Sequence, residues 1–358
     1  LKILDITANA WDVPMRSPYR SAQRITTTAR NVLVTVTLAD GSIGYGESAP
    51  ATYVTGETQE SVLQALTGVI PALRGAEAEE VYPTLTGRLS DFPGAAGALE
   101  IALADALAHS QGVPLYRFLG AGADVSPTRA TDLSLPILTA AEASVRAAQA
   151  AQDGFHALKI KVGAGDLAED AARVRAIAEA APEVTLRLDG NQGFTPEEAV
   201  RFIEGLSDLA PRIEMLEQPT KAGDDTAMAF VSQRIPFPVF ADESVHHVED
   251  ASRMVGGGIC GGVVLKLAKS GLSQTGAIAR ATHAAGGRCL FGCMMETRIA
   301  VGAALSLTIA LGPEIVPMLD LDGHLLVNDA EVISGGLTQS GDVLILASDK
   351  PGLGLTAH

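Results

Sequence analysis

The stretch ALKIKVGAGDLAEDAARVRAIAEAAPEVTLRLD, residues 157–189, decides the fold. It opens on the apolar run ALKIKV (157–162) and closes on VTLRLD (184–189). Between them DLAEDAARVRAIAEAA (166–181) has helical spacing and begins with Asp166, a good N-cap residue. Strand, helix, strand is the repeating unit of a parallel sheet. Side chains alternate along a strand, so Lys159 and Lys161 share one face while Leu158, Ile160 and Val162 share the other. Lysine is among the residues least often buried. Two of them on one face of a strand flanked by apolar neighbours demand a reason.

Working outward, the same beat recurs. Short runs stand at 133–137 (LSLPI), 212–217 (RIEMLE), 238–242 (PVFAD), 262–266 (GVVLK), 287–293 (GRCLFGC) and 315–320 (IVPMLD). With the first two they make eight, separated by helical stretches such as TPEEAVRFIEGLSDLA (195–210), which opens on Thr195, Pro196 and Glu198. Eight such units predict a parallel (β/α) barrel of the TIM type over 126–322. An open doubly wound sheet is the competing arrangement, but no glycine-rich fingerprint follows the first strand. Residues 1–125 read differently, as an α+β capping module. LKILDITANAWDV (1–13) and NVLVTVTLADGSIGYGES (31–48) are strands, the second turned at Asp40-Gly41, and helices follow at 61–75 and 94–112. The tail, 323–358, regains strand character in DVLILAS and is expected to pack back on the cap. The glycine-rich pieces GAGAD and GGGICGG match no phosphate-binding motif and read as loops.

Composition narrows the function classes. The chain has 358 residues, 47% of them apolar, enough for a large interior. Its formal charge of −16 argues against nucleic acid or an anionic membrane as partner. No apolar run is long enough to span a bilayer, and the first residues carry no signal-peptide pattern. Cys260, Cys289 and Cys293 fit no disulfide framework and suggest a reducing, cytoplasmic setting.

The ends of the runs carry charges that do not belong in a core. The second carries Lys159 and Lys161, the third ends in Asp189, the fourth in Glu217, the fifth in Asp242 and the sixth in Lys266. The eighth ends in Asp320, with Asp322 two residues on; the seventh has no charge. Barrel active sites lie at the C-terminal ends of the strands. On adjacent strands Asp189, Glu217 and Asp242 converge, and three carboxylates cannot share a site ionised without a cation. All-oxygen donors favour Mg²⁺ before Mn²⁺ or Ca²⁺, one ion per site. Strands two and six face each other, so Lys161 and Lys266 flank the centre from opposite sides. Burial, a metal and a second cation are expected to lower their pKa values towards working pH. Asp320 and Asp322 offer paired negative charge opposite the metal, suited to a substrate cation. The ring therefore describes a ligand with a carboxylate on the metal, a positive group opposite, and an acidic C–H between two lysines.

At these residues the chain resembles the enolase superfamily, muconate lactonizing subgroup. The resemblance is carried by KIK (159–161), LDGNQGF (188–194), EQP (217–219), ADES (241–244), LKLAKSGL (265–272) and GCMMET (292–297), and it covers the whole chain. DLD (320–322) is similar to the signature of the dipeptide epimerases. The resemblance implies a modified, enolase-like barrel with a cap and an isomerase epimerising the C-terminal residue of a dipeptide. It assigns Lys161 and Lys266 as the acid/base pair, Lys159 as an electrostatic aid, and Asp189, Glu217 and Asp242 as Mg²⁺ ligands. Asp320 and Asp322 would hold the α-ammonium. Arg24, in SAQRITTT, matches the position that meets an acidic side chain in epimerases acting on L-Ala-D/L-Glu. The loop 51–58 is expected to cover the site, with Tyr53 and Val54 shaping it, and Met295 lines the pocket or packs in the core. Glu243 is expected to face away, Glu296 to stand behind Lys266 or at the surface, and His324 to be a possible substrate contact. Arg187 and Asn191 read as supports for the ligands, and His246 and His247 as surface residues at a helix start. Muconate cycloisomerase, o-succinylbenzoate synthase and N-acylamino-acid racemase remain alternatives, although their substrates leave the aspartate pair unexplained. A non-catalytic binding barrel is a remoter one. Homo-oligomerisation stays open.

Overall fold

A computed structural model gives the fold and describes residues 1–22, 24–329 and 333–357. All eight runs are strands of one sheet: Leu133–Leu135, Ala157–Lys161, Thr185–Asp189, Ile213–Glu217, Val239–Ala241, Gly262–Leu265, Arg288–Gly292 and Met318–Asp320. They lie side by side in chain order and are parallel throughout. The first and eighth strands meet through separate links rather than a regular ladder. Asp132 N donates to Leu319 O (3.1 Å) and Leu321 N to Thr131 Oγ1 (2.7 Å).

The barrel interior is unevenly filled. Met215, Phe240, Val264, Leu290 and Met318, from strands four to eight, make an apolar plug. Asp132, just before strand one, and Lys159 and Arg187, from strands two and three, stand on the other side instead, all buried. Arg187 pairs with Asp132 (2.8 Å) and Glu214 (2.9 Å) and donates to Leu319 O (2.9 Å), so the polar half is bonded rather than merely enclosed. The outward face of the strands, with Leu158, Ile160, Leu188 and Val263 among its members, packs into the main core against the helices.

The helix predicted at 166–181 spans Leu167–Ala180 and is capped by Asp166. The one predicted at 195–210 is shorter. It starts on the Thr195–Glu198 capping box but stops at Glu204, and a 3₁₀ turn covers Ser207–Arg212. Gly205 and Pro211 explain the stop, since glycine is a poor helix former and proline lacks an N–H.

The cap is a three-stranded antiparallel sheet, Ile3–Arg20, Ile25–Leu38 and Ile43–Ser48. Its first two strands are longer than the sequence suggests, and Arg24, just before the second, lies at the barrel mouth. Helix Pro93–Ser110 packs on the third strand so closely that a Cβ at Gly46 would stand 1.9 Å from Ala98 O. Three buried cap acids tie this module to the barrel and tail through backbone N–H groups. Glu47 accepts from Thr297 N (3.1 Å) and Ala300 N (3.2 Å) at the start of helix Arg298–Leu311. Glu100 accepts from Leu272 N (2.7 Å), and Asp105 from Tyr45 N (2.8 Å) and Leu353 N (2.6 Å). The tail divides its contacts. Val343–Leu346 pairs with Leu337–Ser340 and Thr128–Ala130, and Ile333, Leu344 and Leu353 join the barrel's core, while Asn328 N bonds Pro14 O of the cap (2.9 Å). No helix among the described residues is long and apolar enough to cross a membrane.

Candidate active site

The strand ends assemble one cleft between barrel and cap. Lys159, Lys161, Asp242, Lys266, Asp320, Asp322, Arg24, Tyr53 and Met295 all line it. Asp189 and Glu217 lie beneath, fully buried. The lysines, the acids, Arg24, Tyr53 and Met295 are thus all at or directly under this mouth.

Lys161 and Lys266 reach the cleft from the second and sixth strands, four positions apart around the ring. Lys161 Nζ lies 2.5 Å from Asp189 Oδ2, its register partner on the next strand. Lys266 Nζ lies 2.7 Å from Asp242 Oδ2. Lys159, only 1% exposed, has its ammonium 2.6 Å from Asp320 Oδ2, 2.8 Å from Glu217 Oε2 and 3.4 Å from Asp189 Oδ2. The two lysines of strand two therefore share a face because that face meets a ring of acids.

This surrounding reverses the expected pKa shifts. Burial works against the charge on Lys161 and Lys266, but Asp189 beside the first and Asp242 beside the second outweigh it, so both ammoniums are held above lysine's usual range. Burial opposes Asp189 as well, yet Lys161 and Lys159 hold its carboxyl down at about 2. Glu217 goes the other way, up to about 8, through burial and the nearby Asp189. The sequence reading counted the cations around each lysine and missed how closely each acid would pair with it.

The donor set suits a hard cation: three carboxylates, no nitrogen or sulfur among them. As the side chains stand, no group of three acids, histidines or cysteines among the described residues encloses an ion. Asp189 and Asp242 are turned onto the lysines, whose ammoniums hold the charge that a cation would supply. Glu217 retains donor capacity, since neither of its oxygens accepts an aligned hydrogen bond among the described residues. The residues fit such an ion.

Asp320 ends the eighth strand and Asp322 lies two residues beyond it; both are clasped by a residue with no charge to mark it in the sequence. Ser134, in the middle of the first strand, donates from N to Asp322 Oδ2 (2.6 Å) and from Oγ to Asp320 Oδ1 (3.0 Å). Burial and then Asp320 push Asp322 up to about 7, whereas Lys159 overcomes burial at Asp320 and keeps it below the carboxylate range. A cation entering beside the pair would favour the ionised form of both.

The cap supplies the roof. The guanidinium of Arg24 lies over the Tyr53 ring, 4.9 Å from its centroid, so Arg24 and the 51–58 loop touch above the cleft. Val54 instead packs with Ala49, Ala51 and Met294 beneath that loop. Met295 lines the cleft with its neighbour Met294, and its carbonyl accepts from Asn31 Nδ2 (2.9 Å). The centre of the cleft leaves about 60 Å³. A hollow of about 540 Å³ adjoins it under the cap, sharing Arg24, Thr26, Met294 and Met295.

Other residues behave differently from expectation. His324 turns away from the cleft: its Nε2 is 2.8 Å from Gln339 Oε1 on the tail. Glu296 is buried, not at the surface, and burial with the Glu47 charge pushes it up to about 8. Glu243 lines the cleft rather than facing away, because the fifth strand ends at Ala241 and alternation no longer applies. Arg187 stands well below the ligands, in the polar half of the interior. Lys269, unnoticed in LKLAKSGL, is fully enclosed and donates to Asp242 Oδ1 (2.8 Å), Asp242 O (2.6 Å) and Val264 O (2.8 Å). Its position three residues beyond Lys266, at the start of a helix, was the available signal. Gly292 accounts for the missing charge on strand seven, since a Cβ there would press on Lys266 Cε at 3.1 Å.

A (β/α)₈ barrel with acids and lysines in this arrangement, under an α+β cap, has counterparts among known proteins. Residues 142–358 match the enolase C-terminal domain-like family, and residues 4–120 match the mandelate racemase / muconate lactonizing enzyme N-terminal domain. The chain belongs to this family of the enolase superfamily, in its muconate lactonizing subgroup. Within it, the chain stands beside the epimerases. It is 34% identical to the L-Ala-D/L-Glu epimerase of Bacillus subtilis, over 99% of this chain and 97% of that one. The substrate-liganded structure of that enzyme superposes with a TM-score of 0.93 at 33% identity, covering 100% of both chains. A dipeptide epimerase from Enterococcus faecalis, complexed with Mg and L-Leu-L-Tyr, gives 0.92 at 31% identity, again over 100% of both.

Proposed function

We propose that this protein is a Mg²⁺-dependent dipeptide epimerase that inverts the α-carbon of the C-terminal residue. The observation that carries the reading is the pairing of two features in one cleft. Lys161 and Lys266 approach from opposite strands, and an aspartate pair stands ready for a cation. Epimerisation needs a proton taken from one face of a carbon and another delivered to the opposite face. A dipeptide also brings an α-ammonium, which an N-acylated substrate lacks.

In this reading Asp320 and Asp322, held by Ser134, bind the α-ammonium. Asp189, Glu217 and Asp242 hold one Mg²⁺, which when bound supplies fixed positive charge to the substrate carboxylate. With those acids committed to an ion, Lys161 and Lys266 lose their counter-charges, and burial is left to lower their pKa values. The neutral one of the two accepts the α-proton at Nζ, while the protonated one releases a proton from Nζ to the far face. Lys159 keeps its charge and steadies the negative charge that develops on the carboxylate. Running the exchange the other way inverts the opposite configuration, so each lysine serves as base for one epimer. Arg24 and the hollow under the cap receive the side chain of the second residue, since the centre is too small for it. Three free thiols are in keeping with a cytoplasmic enzyme.

The test is solvent exchange. A pooled L,L-dipeptide library is incubated with enzyme and Mg²⁺ in D₂O and read by mass spectrometry. One-deuteron gain on dipeptides is expected, strongest with an acidic second residue, and lost with EDTA. No gain on any dipeptide, with gain on N-acylamino acids, would overturn the reading.

A further inference from the structure

Glu243 is a buried acid with no visible employment. It is 4% exposed, lines the cleft with Lys266 and Asp242, and neither carboxylate oxygen has a hydrogen-bond partner among the described residues. Three other buried acids outside the strand ends contrast with it. Glu47, Glu57 and Glu100 each accept from backbone N–H groups and so account for their own burial. An enclosed carboxylate without a partner is costly; burial, then Asp242 and Asp189, push this one up to about 7, so near neutral pH its ionised form calls for a cation from outside the chain.

The surroundings narrow the choice. Asp242 precedes Glu243 directly, and the Asp242 and Asp189 charges both bear on it unfavourably. Lys266, the cation acting on it, is already engaged with Asp242. A substrate ammonium is served by Asp320 and Asp322 at the end of the eighth strand and just past it. The remaining cation is the divalent ion of the neighbouring acids, which keeps several bound waters when it is Mg²⁺.

We propose that Glu243 is a fourth acidic member of the divalent-ion site, accepting hydrogen bonds from water bound to the ion. The inference rests on Asp189, Glu217 and Asp242 being the ion's ligands. Glu243 is then a positioning residue: it raises ion affinity and orients the hydration shell without touching the reacting carbon.

The experiment uses the metal-free full chain and Mn²⁺ alone, with free Mn²⁺ followed by electron paramagnetic resonance. Wild type is compared with Glu243→Gln, Glu243→Asp, Asp189→Asn and, as a control, Glu249→Gln on the exposed side of the next helix. Asp189→Asn is expected to lose binding. Glu243→Gln should weaken it about tenfold, as loss of a partner around a metal site does. Glu243→Asp should recover most of the loss, and Glu249→Gln should bind as wild type. In EDTA, Glu243→Gln should melt no lower than wild type, because it removes an uncompensated buried charge. Unchanged Mn²⁺ affinity in Glu243→Gln, alongside loss in Asp189→Asn, would overturn this inference and leave the ion site standing. Binding indifferent to Asp189→Asn would remove both. Weakened binding with a lowered melting temperature in EDTA, and no recovery in Glu243→Asp, would make Glu243 a structural residue.

Discussion

Lys159 illustrates how one side chain is held by its charge. Three acids surround its ammonium, so its value lies in staying protonated, whereas Lys161 and Lys266 each face one close acid and the open cleft. Asp320 and Asp322 are the residues on which substrate class turns. A hydrogen bond to a charged group is worth about 1.5–3 kcal/mol, so Asp320→Asn and Asp322→Asn should each lower kcat/KM for a dipeptide by roughly 10- to 100-fold. Exchange on an N-acylamino acid should change far less, and steady-state kinetics on both substrates would tell. Among the described residues Arg24 makes no ion pair; it rests on Tyr53. Arg24→Met should raise KM for L-Ala-L-Glu about tenfold with little change in kcat, the pattern of lost ground-state binding. A hydrophobic dipeptide should be unaffected. An equal rise for both would mean that Arg24 shapes the roof rather than reading the side chain.

Among the elements, the helix after the sixth strand shows most clearly how the cap governs the barrel. It spans Leu267–Ala284 but breaks at Gly271, whose φ of 71° is in the left-handed region. Glu100 of the cap accepts from Leu272 N at the break, and a Cβ at Gly271 would lie 2.3 Å from Glu100 Oε2. Gly271→Ala should therefore cost about 1–3 kcal/mol in urea unfolding, from backbone strain together with displacement of Glu100. The first turn of this helix carries Lys269 against Asp242, so the same substitution should also weaken ion binding. All eight barrel strands could be read from the sequence because period-two runs and helical runs alternate over a long stretch. The charges at their ends could be read for the same reason. What escaped was set by distant partners. Ser134 carries no charge to mark it, Lys269 acts one helical turn after its strand, and Glu243 lies just past a strand end where alternation stops. The length of the cap's first two strands escaped too, because PMRSPYR (14–20) holds two prolines that argue against a strand.

Across the whole molecule, stability and site share their parts. His324 links the tail to the end of the eighth strand. Gln339 Nε2 donates to Gly341 O, so its Oε1 faces His324, and the histidine carries its proton on Nε2. Burial pushes the imidazole down to about 4 from an ordinary 6.5. Between those values the unfolded chain takes up a proton that the native chain refuses. The contribution of His324 is thus complete above 6.5 and lost as pH falls towards 4, at no more than about 1.4 kcal/mol per pH unit. Urea unfolding of wild type and His324→Gln from pH 7.5 to 4.5 should show the wild-type advantage shrinking across that window. A constant difference would mean that His324 titrates normally. The junction between the first and eighth strands has a further consequence. Ser134 grips both Asp320 and Asp322, so the pair that awaits the ammonium also helps fasten the ends of the barrel together. Adaptation to a substrate without that ammonium can begin with asparagine, which keeps an acceptor for Ser134, but not with an apolar residue, because the ring would loosen before the new activity was gained. A lineage going beyond asparagine would first need another fastening across this junction, so the order of its mutations is constrained by architecture as much as by chemistry.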